Sequence, residues 1–422
     1  MESLLAVTLG LLIMLPLGWG IRFVGKRARI PAALSLMILG IILGPEFSDL
    51  LPPEYLAISG YLSKMAFVIL LVRAGIGLTP ELVKKYLLPT FYLGIVPLLI
   101  EGTTLAWLGK ELLFATWPLA LLFAAVLMCE SPAIIFPTML KVRHKGLGTN
   151  KGIPDKLMAK TLGNILIAQS AILFFVDYLT LPVSEADSLW AYYLFPLNVA
   201  LGFGISVLIT RLIPWCVLGR SSHPASTNLL TALLLVVAAI TYFGLRAWKI
   251  ENVVATVFVS IFAFRAIPER RPSVDTALVG VWSFFEIILF VNLGAHIRLG
   301  ELGAGKILFV IVGVLVVAHA LRQAVLVWIL KSTHYSQNES LYIGFAHIPK
   351  ATMQAVFGAA PLMAFTEAGL TEFIPAGELI LMAAVTGIIL TAPPGALMLD
   401  NMAPRLLDKQ SEEEKSASGP SV

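Results

Sequence analysis

The sequence predicts an all-α polytopic membrane protein of about 13 transmembrane helices, built as inverted repeats with two broken helices. Three observations lead there. Hydrophobic residues make up 58% of the 422-residue chain and charged residues only 13%, far below the soluble average of about 25% charged. Apolar stretches of about 20 residues follow one another with short polar punctuation. Two of these stretches carry charge beside proline in their middle. With a mean hydropathy of +0.87, the pattern excludes a soluble enzyme, a disordered chain and a collagen-like one.

In order, windows of about 19 residues place spans at 4–25, 30–45, 56–79, 86–109 and 112–140, then at 156–180, 188–216, 227–246 and 251–267, and finally at 277–297, 305–330, 340–365 and 377–400. The first stretch, Leu4 to Val24, has neither a basic leader region nor a clear cleavage site and reads as a retained helix. Basic clusters fall on alternate loops: Lys26, Arg27 and Arg29; Lys84 and Lys85; Lys141, Arg143, Lys145, Lys151 and Lys156; Arg265, Arg270 and Arg271; and Lys331. The opposite loops hold Glu46, Asp49 and Glu54, then Glu185 and Asp187, then Glu367, Glu372 and Glu378. The positive-inside rule therefore puts the N-terminus outside and the C-terminus in the cytoplasm, and the net charge of +4 records topology, not a nucleic-acid site. Residues 1–408 form the transmembrane domain, and 409–422, with Glu412, Glu413 and Glu414, read as a disordered cytoplasmic tail. The compact chain and short tail point to a bacterial inner membrane.

The fifth span is interrupted by Cys129-Glu130-Ser131-Pro132 with Pro137 beyond, and the twelfth by His347-Ile348-Pro349-Lys350. Proline removes a backbone donor and clashes with the preceding turn, so the chain can unwind there. Unwound backbone at membrane depth is tolerated only where it lines an enclosed cavity, and two interrupted helices running in opposite directions mark a transporter site. The alternative is a pair of packed helices merely kinked at proline.

Five segments stand in order and in register: Val72 to Leu78 with Arg73, Glu130 to Pro137, Lys151 to Ala159 containing Lys-Gly-Ile-Pro, Ile348 to Ala355, and Leu390 to Gly395. Together they resemble the sodium/hydrogen antiporter (NHA) branch of the cation:proton antiporter superfamily. The resemblance implies a homodimer with a dimerisation panel and a mobile core whose two broken helices cross, the core including about 56–180 and 277–400. It also implies alternating-access exchange of a monovalent, sodium-like cation for protons. One departure matters: where the family has an ion-binding aspartate pair, this chain reads Gly163-Asn164. An amide oxygen can ligate a cation but cannot trade a proton with it.

Glu130, at the first break, is the replacement carboxylate, with Ser131, Asn164 and freed backbone carbonyls completing an oxygen site. The competing reading makes Glu130 a salt partner of Lys160 or Lys350; Lys160 lies one turn before Asn164 on the same helix face. Lys350 matches a family lysine that pairs with the binding-site carboxylate, and Glu130 is its expected partner here, with an anionic substrate as the other possibility. Glu101 and Arg322 are intramembrane charges that must pair, and read as structural or gating groups. Arg73 is either an interfacial anchor or functional, Glu286 either lines the cavity or satisfies a helix neighbour, and His347 is placed to shape the pH response. His319 reads as hydrogen-bonded between helices.

No metal or cofactor is expected: Cys129 and Cys216 sit in apolar stretches, no ligand cluster has metalloenzyme spacing, and no Gly-Lys-Ser/Thr motif points to ATP. Ser131 has no base arranged as in a hydrolase, so an enzyme is not expected. The rival functions are a carrier of an anion or small polar solute on the same fold, and a non-transporting sensor or partner subunit.

Overall fold

The computed structural model describes residues 2–27, 32–45, 47–78, 80–181, 195–213, 226–296 and 305–409. Arg29, Glu46, Glu185, Asp187, Cys216 and residues 410–422 lie outside these, as do the expectations attached to them.

Helices α1 (Glu2–Arg27), α2 (Ala32–Leu43) and α3 (Pro53–Gly77) come first. Two short helices, α4 (Pro80–Lys85) and α5 (Leu87–Thr90), then run through a π turn at Phe91–Ile95 into α6 (Val96–Leu112). The first broken pair is α7 (Trp117–Leu127) and α8 (Pro132–His144), followed by α9 (Ile153–Thr180). Next come α10 (Phe195–Leu212), α11 (Thr227–Ala247), α12 (Asn252–Ala266), α13 (Arg271–Ala295) and α14 (Gly305–Lys331). The second broken span is α15 (Gln337–Phe345), α16 (Thr352–Phe357) and α17 (Ala360–Glu367), and α18 (Ile374–Leu406) closes the bundle. Each expected span has a helical counterpart: among the described residues nine helices are long and apolar enough to cross a membrane, three are shorter, and the twelfth span is in pieces. Proline opens many of them, at the first or second position of α3, α7, α8, α9, α13 and α18, where its missing N–H costs nothing.

The helices pack in two groups. In the first, α13 lies along α2 and α3, with α12 on α3 and with α10 and α11 against α12. Glycine sets the closest approach: a Cβ on Gly40 of α2 would stand 2.1 Å from the Val291 carbonyl oxygen, and one on Gly294 the same distance from that of Met37. Without side chains the two backbones touch, which is how packing replaces the hydrophobic drive that lipid removes. The second group places α6 against α7 and α14, α9 against α7 and α8, and α18 against the pieces of the second broken span. Thus α3 and α13 pack chiefly with the first group.

The basic loops gather at one end. There Lys151 reaches Glu339 at 2.6 Å, Lys156 donates to the Tyr335 hydroxyl at 2.7 Å, and Arg143 pairs with Asp155 at 3.0 Å. Near the other end a cavity of about 230 Å³ opens between the groups, lined in part by Ser63, Lys64, Arg246, His296 and Glu367. Tyr242 and Phe357 also line it and hold buried Phe67 edge-on, with ring centroids 6.1 and 5.6 Å away.

Candidate ion site

Both breaks fall where proline predicts them, over Met128–Ser131 and Ala346–Ala351, and the two meet. The Ser131 N–H donates to the Pro349 carbonyl at 2.7 Å, and the Ser131 and Thr352 hydroxyls lie 2.8 Å apart. Ending α7 early leaves carbonyls with no helical donor. Side chains supply donors: Gln354 Nε2 reaches Val126 O at 3.0 Å and Cys129 O at 2.9 Å, Lys350 Nζ reaches Leu127 O at 2.7 Å, and Arg322 reaches Met128 O at 2.9 Å. Two of these donors are cations, as the negative end of a helix favours.

Five fully or almost fully buried charges fill the crossing: Glu101, Glu130, Lys160, Arg322 and Lys350. Arg322 of α14 bridges both acids, 2.6 Å from Glu101 Oε2 and 2.7 Å from Glu130 Oε2. Lys160 of α9 stands 2.5 Å from Glu130 Oε1, and Lys350 stands 2.9 Å from Glu101 Oε1. Asn164 Nδ2 donates to both Glu130 oxygens, at 2.9 and 3.0 Å, and the Thr161 hydroxyl reaches Oε1 at 3.3 Å. Asn164 Oδ1 is buried and finds no hydrogen-bond partner among the described residues.

Glu130, Asn164 and Lys160 converge. Lys350 pairs with Glu101 and not with Glu130, because the Glu130 oxygens are already taken by Arg322, Lys160 and Asn164. The Ser131 hydroxyl lies against that of Thr352, and side chains donate to the freed carbonyls. Gly163 faces away, a Cβ there meeting Thr90 at 3.0 Å. Glu286 pairs with Arg22 of α1 at 3.2 Å, and Arg73 is half-buried on α3, so both belong to the first helix group. His347 is buried beside the cluster, its ring nitrogens 2.8 Å from Ile343 O and 2.6 Å from Leu93 O. Leu93 O is an available acceptor because Pro97, four residues on, has no N–H. His319 lies 3.5 Å from Glu101 and 3.1 Å from the Gln323 amide.

Sequence reasoning passed over Thr161 and Gln354. Gln354 carried a signal, a polar amide inside an apolar stretch just past a break; Thr161 carried none.

Comparison with known proteins bears on this geometry. The transmembrane sodium/hydrogen exchanger family matches residues 11–397. The chain belongs to the sodium/hydrogen exchanger family. Sodium/hydrogen exchanger 9B2 of Homo sapiens is 26% identical over 92% of this chain and 71% of its own length, and that of Bison bison bison 28% identical over 93% and 73%. The structure of the sodium proton antiporter MjNhaP1 from Methanocaldococcus jannaschii superposes with a TM-score of 0.76 at 19% identity, covering 96% of this chain and 99% of that one. The likeness to MjNhaP1 extends over the whole fold that carries the Lys160–Glu130–Asn164 arrangement.

Proposed function

We propose that this chain is a secondary membrane transporter that exchanges a monovalent, sodium-like cation for protons by alternating access, using Glu130 and Asn164 in place of an aspartate pair. The observation that carries the reading is a buried carboxylate and an unpartnered amide oxygen, Glu130 and Asn164 Oδ1, set together where the two broken helices cross in a sodium/hydrogen exchanger fold. A carboxylate in hydrocarbon is costly unless function or pairing retains it, and an amide oxygen is a hard ligand suited to such a cation. The cavity between the helix groups supports access from one side, with Gln354 one turn before its floor at Phe357. The basic loops gathered at the opposite end support a cytoplasmic C-terminus, an outer N-terminus and a cavity facing outward. The same reading makes the helices of about 56–180 and 277–400 the moving core and the remaining helices the panel on which a homodimer forms in a bacterial inner membrane.

Proteoliposomes with an imposed pH gradient test it. Addition of sodium, lithium or potassium is expected to collapse the gradient with the natural chain and not with Glu130→Gln. Equal exchange by Glu130→Gln would overturn the site, and silence of the natural chain toward every cation would overturn the function.

A further inference from the structure

Beyond Asn164, the second half of α9 is tied to the corner where α11 turns into α12. Gln169 Nε2 donates to Asn252 Oδ1 at 2.9 Å, and the Tyr242 hydroxyl stands 3.5 Å from Gln169 Oε1. The Ser170 hydroxyl donates to Glu251 Oε2 at 3.1 Å. Two turns further on, Asp177 pairs with Arg246 at 3.0 Å and lies 3.9 Å from the Lys249 ammonium. Gln169, Glu251 and Asn252 are buried, so the middle of this seam is closed to solvent.

The corner is shaped to present those partners. Lys249 has a φ of 55°, a left-handed conformation that a residue with a Cβ adopts at a cost. Asn198 of α10 fixes it from both sides, Nδ2 donating to Lys249 O at 3.0 Å and Oδ1 accepting from the Glu251 N–H at 2.9 Å. Glu251 Oε1 accepts from the Val253 N–H at 2.9 Å, and Asn252 Nδ2 donates to Tyr242 O at 3.0 Å. With those atoms engaged, Glu251 Oε2 and Asn252 Oδ1 are left to meet α9.

The inference rests on the alternating-access reading above, in which α9 belongs to the moving core while α11 and α12 do not. Apolar contact is non-directional, so an apolar boundary can slide through many registers. Hydrogen bonds are directional, and buried groups that lose them are costly, so a polar seam fits one register and opposes the next. The same two helices form one wall of the cavity, through Ile172, Leu173 and Val176 of α9 and Tyr242, Phe243 and Arg246 of α11. The register that the seam fits is therefore the one in which the cavity is open. We propose that this seam is a latch that holds the carrier in its cavity-open state and parts in every exchange cycle. Gln169, Ser170, Glu251 and Asn252 then set turnover without touching the cargo.

The test uses the full chain with a reporter of state and a lock. Ser63→Cys places a thiol on the cavity wall. Its labelling by a hydrophilic maleimide in detergent, above the blank given by the natural chain's own cysteines, reads how often the cavity is open. Ser170→Ala or Gln169→Leu added to it is expected to slow labelling, the balance between the two states moving about fivefold for each hydrogen bond removed. Unchanged or faster labelling, whatever the melting temperature, would make the seam ordinary packing and overturn the latch. For the lock, Asp177→Cys and Arg246→Cys are combined and joined across the seam by a short, reducible bifunctional methanethiosulfonate. In proteoliposomes the joined carrier is expected to lose the sodium- or lithium-driven collapse of a pH gradient and to regain it on reduction, while either single variant treated alike keeps it. Exchange by the joined carrier at the unjoined rate would overturn the latch and leave antiport standing. Silence of the natural chain toward every cation would overturn the antiport reading alone, since labelling reports on the latch without transport. Should the double variant fail to fold or to join, labelling decides.

Discussion

At the first break the chain ends α7 on the Val126, Leu127, Met128 and Cys129 carbonyls and a carboxylate, Glu130; at the second it brings His347, Lys350 and Gln354. The backbone event is the same in both, a helix interrupted beside proline, but one side offers acceptors and negative charge and the other supplies donors. The second break therefore fills the first. The inverted repeat sets where the two interruptions meet; one backbone bond runs from Ser131 N–H to Pro349 O, while the side-chain donors Lys350 and Gln354 run the other way. Such complementarity satisfies orphaned carbonyls without water, which a crossing inside a membrane requires.

Four substitutions probe that asymmetry, in falling order of effect. Arg322→Met removes the one guanidinium shared by Glu101 and Glu130 and uncaps Met128, and breaking a buried ion pair of this kind costs about 3–5 kcal/mol. Thermal unfolding in detergent should show it as the largest loss, with Arg322→Lys restoring only part, since an ammonium lacks the planar fork that spans two carboxylates. Gln354→Leu leaves two carbonyls of the first break without donors and should cost about 1–3 kcal/mol on the same measurement; a smaller cost than Ser131→Ala would mean that the capping carries little weight. Ser131→Ala removes one hydroxyl strap between the breaks and should cost about 1 kcal/mol.

Glu339→Gln lies at the loop-side start of the second broken span, where Glu339 closes a capping box with Ser336 and pairs with Lys151. Its cost should be about 0.5–1 kcal/mol. Burial opposes ionisation of Glu339, but the Lys151 ammonium and the Ser336 N–H outweigh it and hold the carboxyl below its usual range. A depressed folded value means the contribution is present above the unfolded pKa, near 4.3, and is lost as pH falls through the lower folded value. The melting difference between Glu339→Gln and the natural chain should therefore shrink in acid below about pH 4 and stay constant near neutrality. A difference that grows in acid would reverse the sign and rule this account out.

Spans and breaks were legible because they rest on local signals. Apolar length marks a helix, and Pro132 and Pro349 beside charge mark the interruptions. Partnership was not legible in the same degree. Arg322 and Lys350 both had to find acids, but which acid depends on the faces that α6, α14 and the breaks turn to one another, and no spacing along the chain encodes that. Lys160 was the exception: one turn before Asn164, it shares the face that meets Glu130, so its pairing appeared among the readings of the sequence. The membership of α13 in the first helix group rests on glycine contacts with α2 across about 250 residues, and that of α3 on Gly75 against Ser260, both visible only once the helices are side by side.

The π turn at Phe91–Ile95 bears on how this chain tolerates changes in its length. A π turn holds one residue more than the α-helix around it, and each residue of an α-helix turns its neighbours by about 100°. Deleting a single residue between 91 and 95 would let the segment relax to regular α-helix while rotating α5 by about that angle relative to α6. Thr90 would swing off Gly163, and the Leu93 carbonyl would leave His347. The surplus residue acts as a phase setting between the lower and upper parts of one span, so insertions and deletions here should be far less forgiving than equal changes in the loop after Ala266.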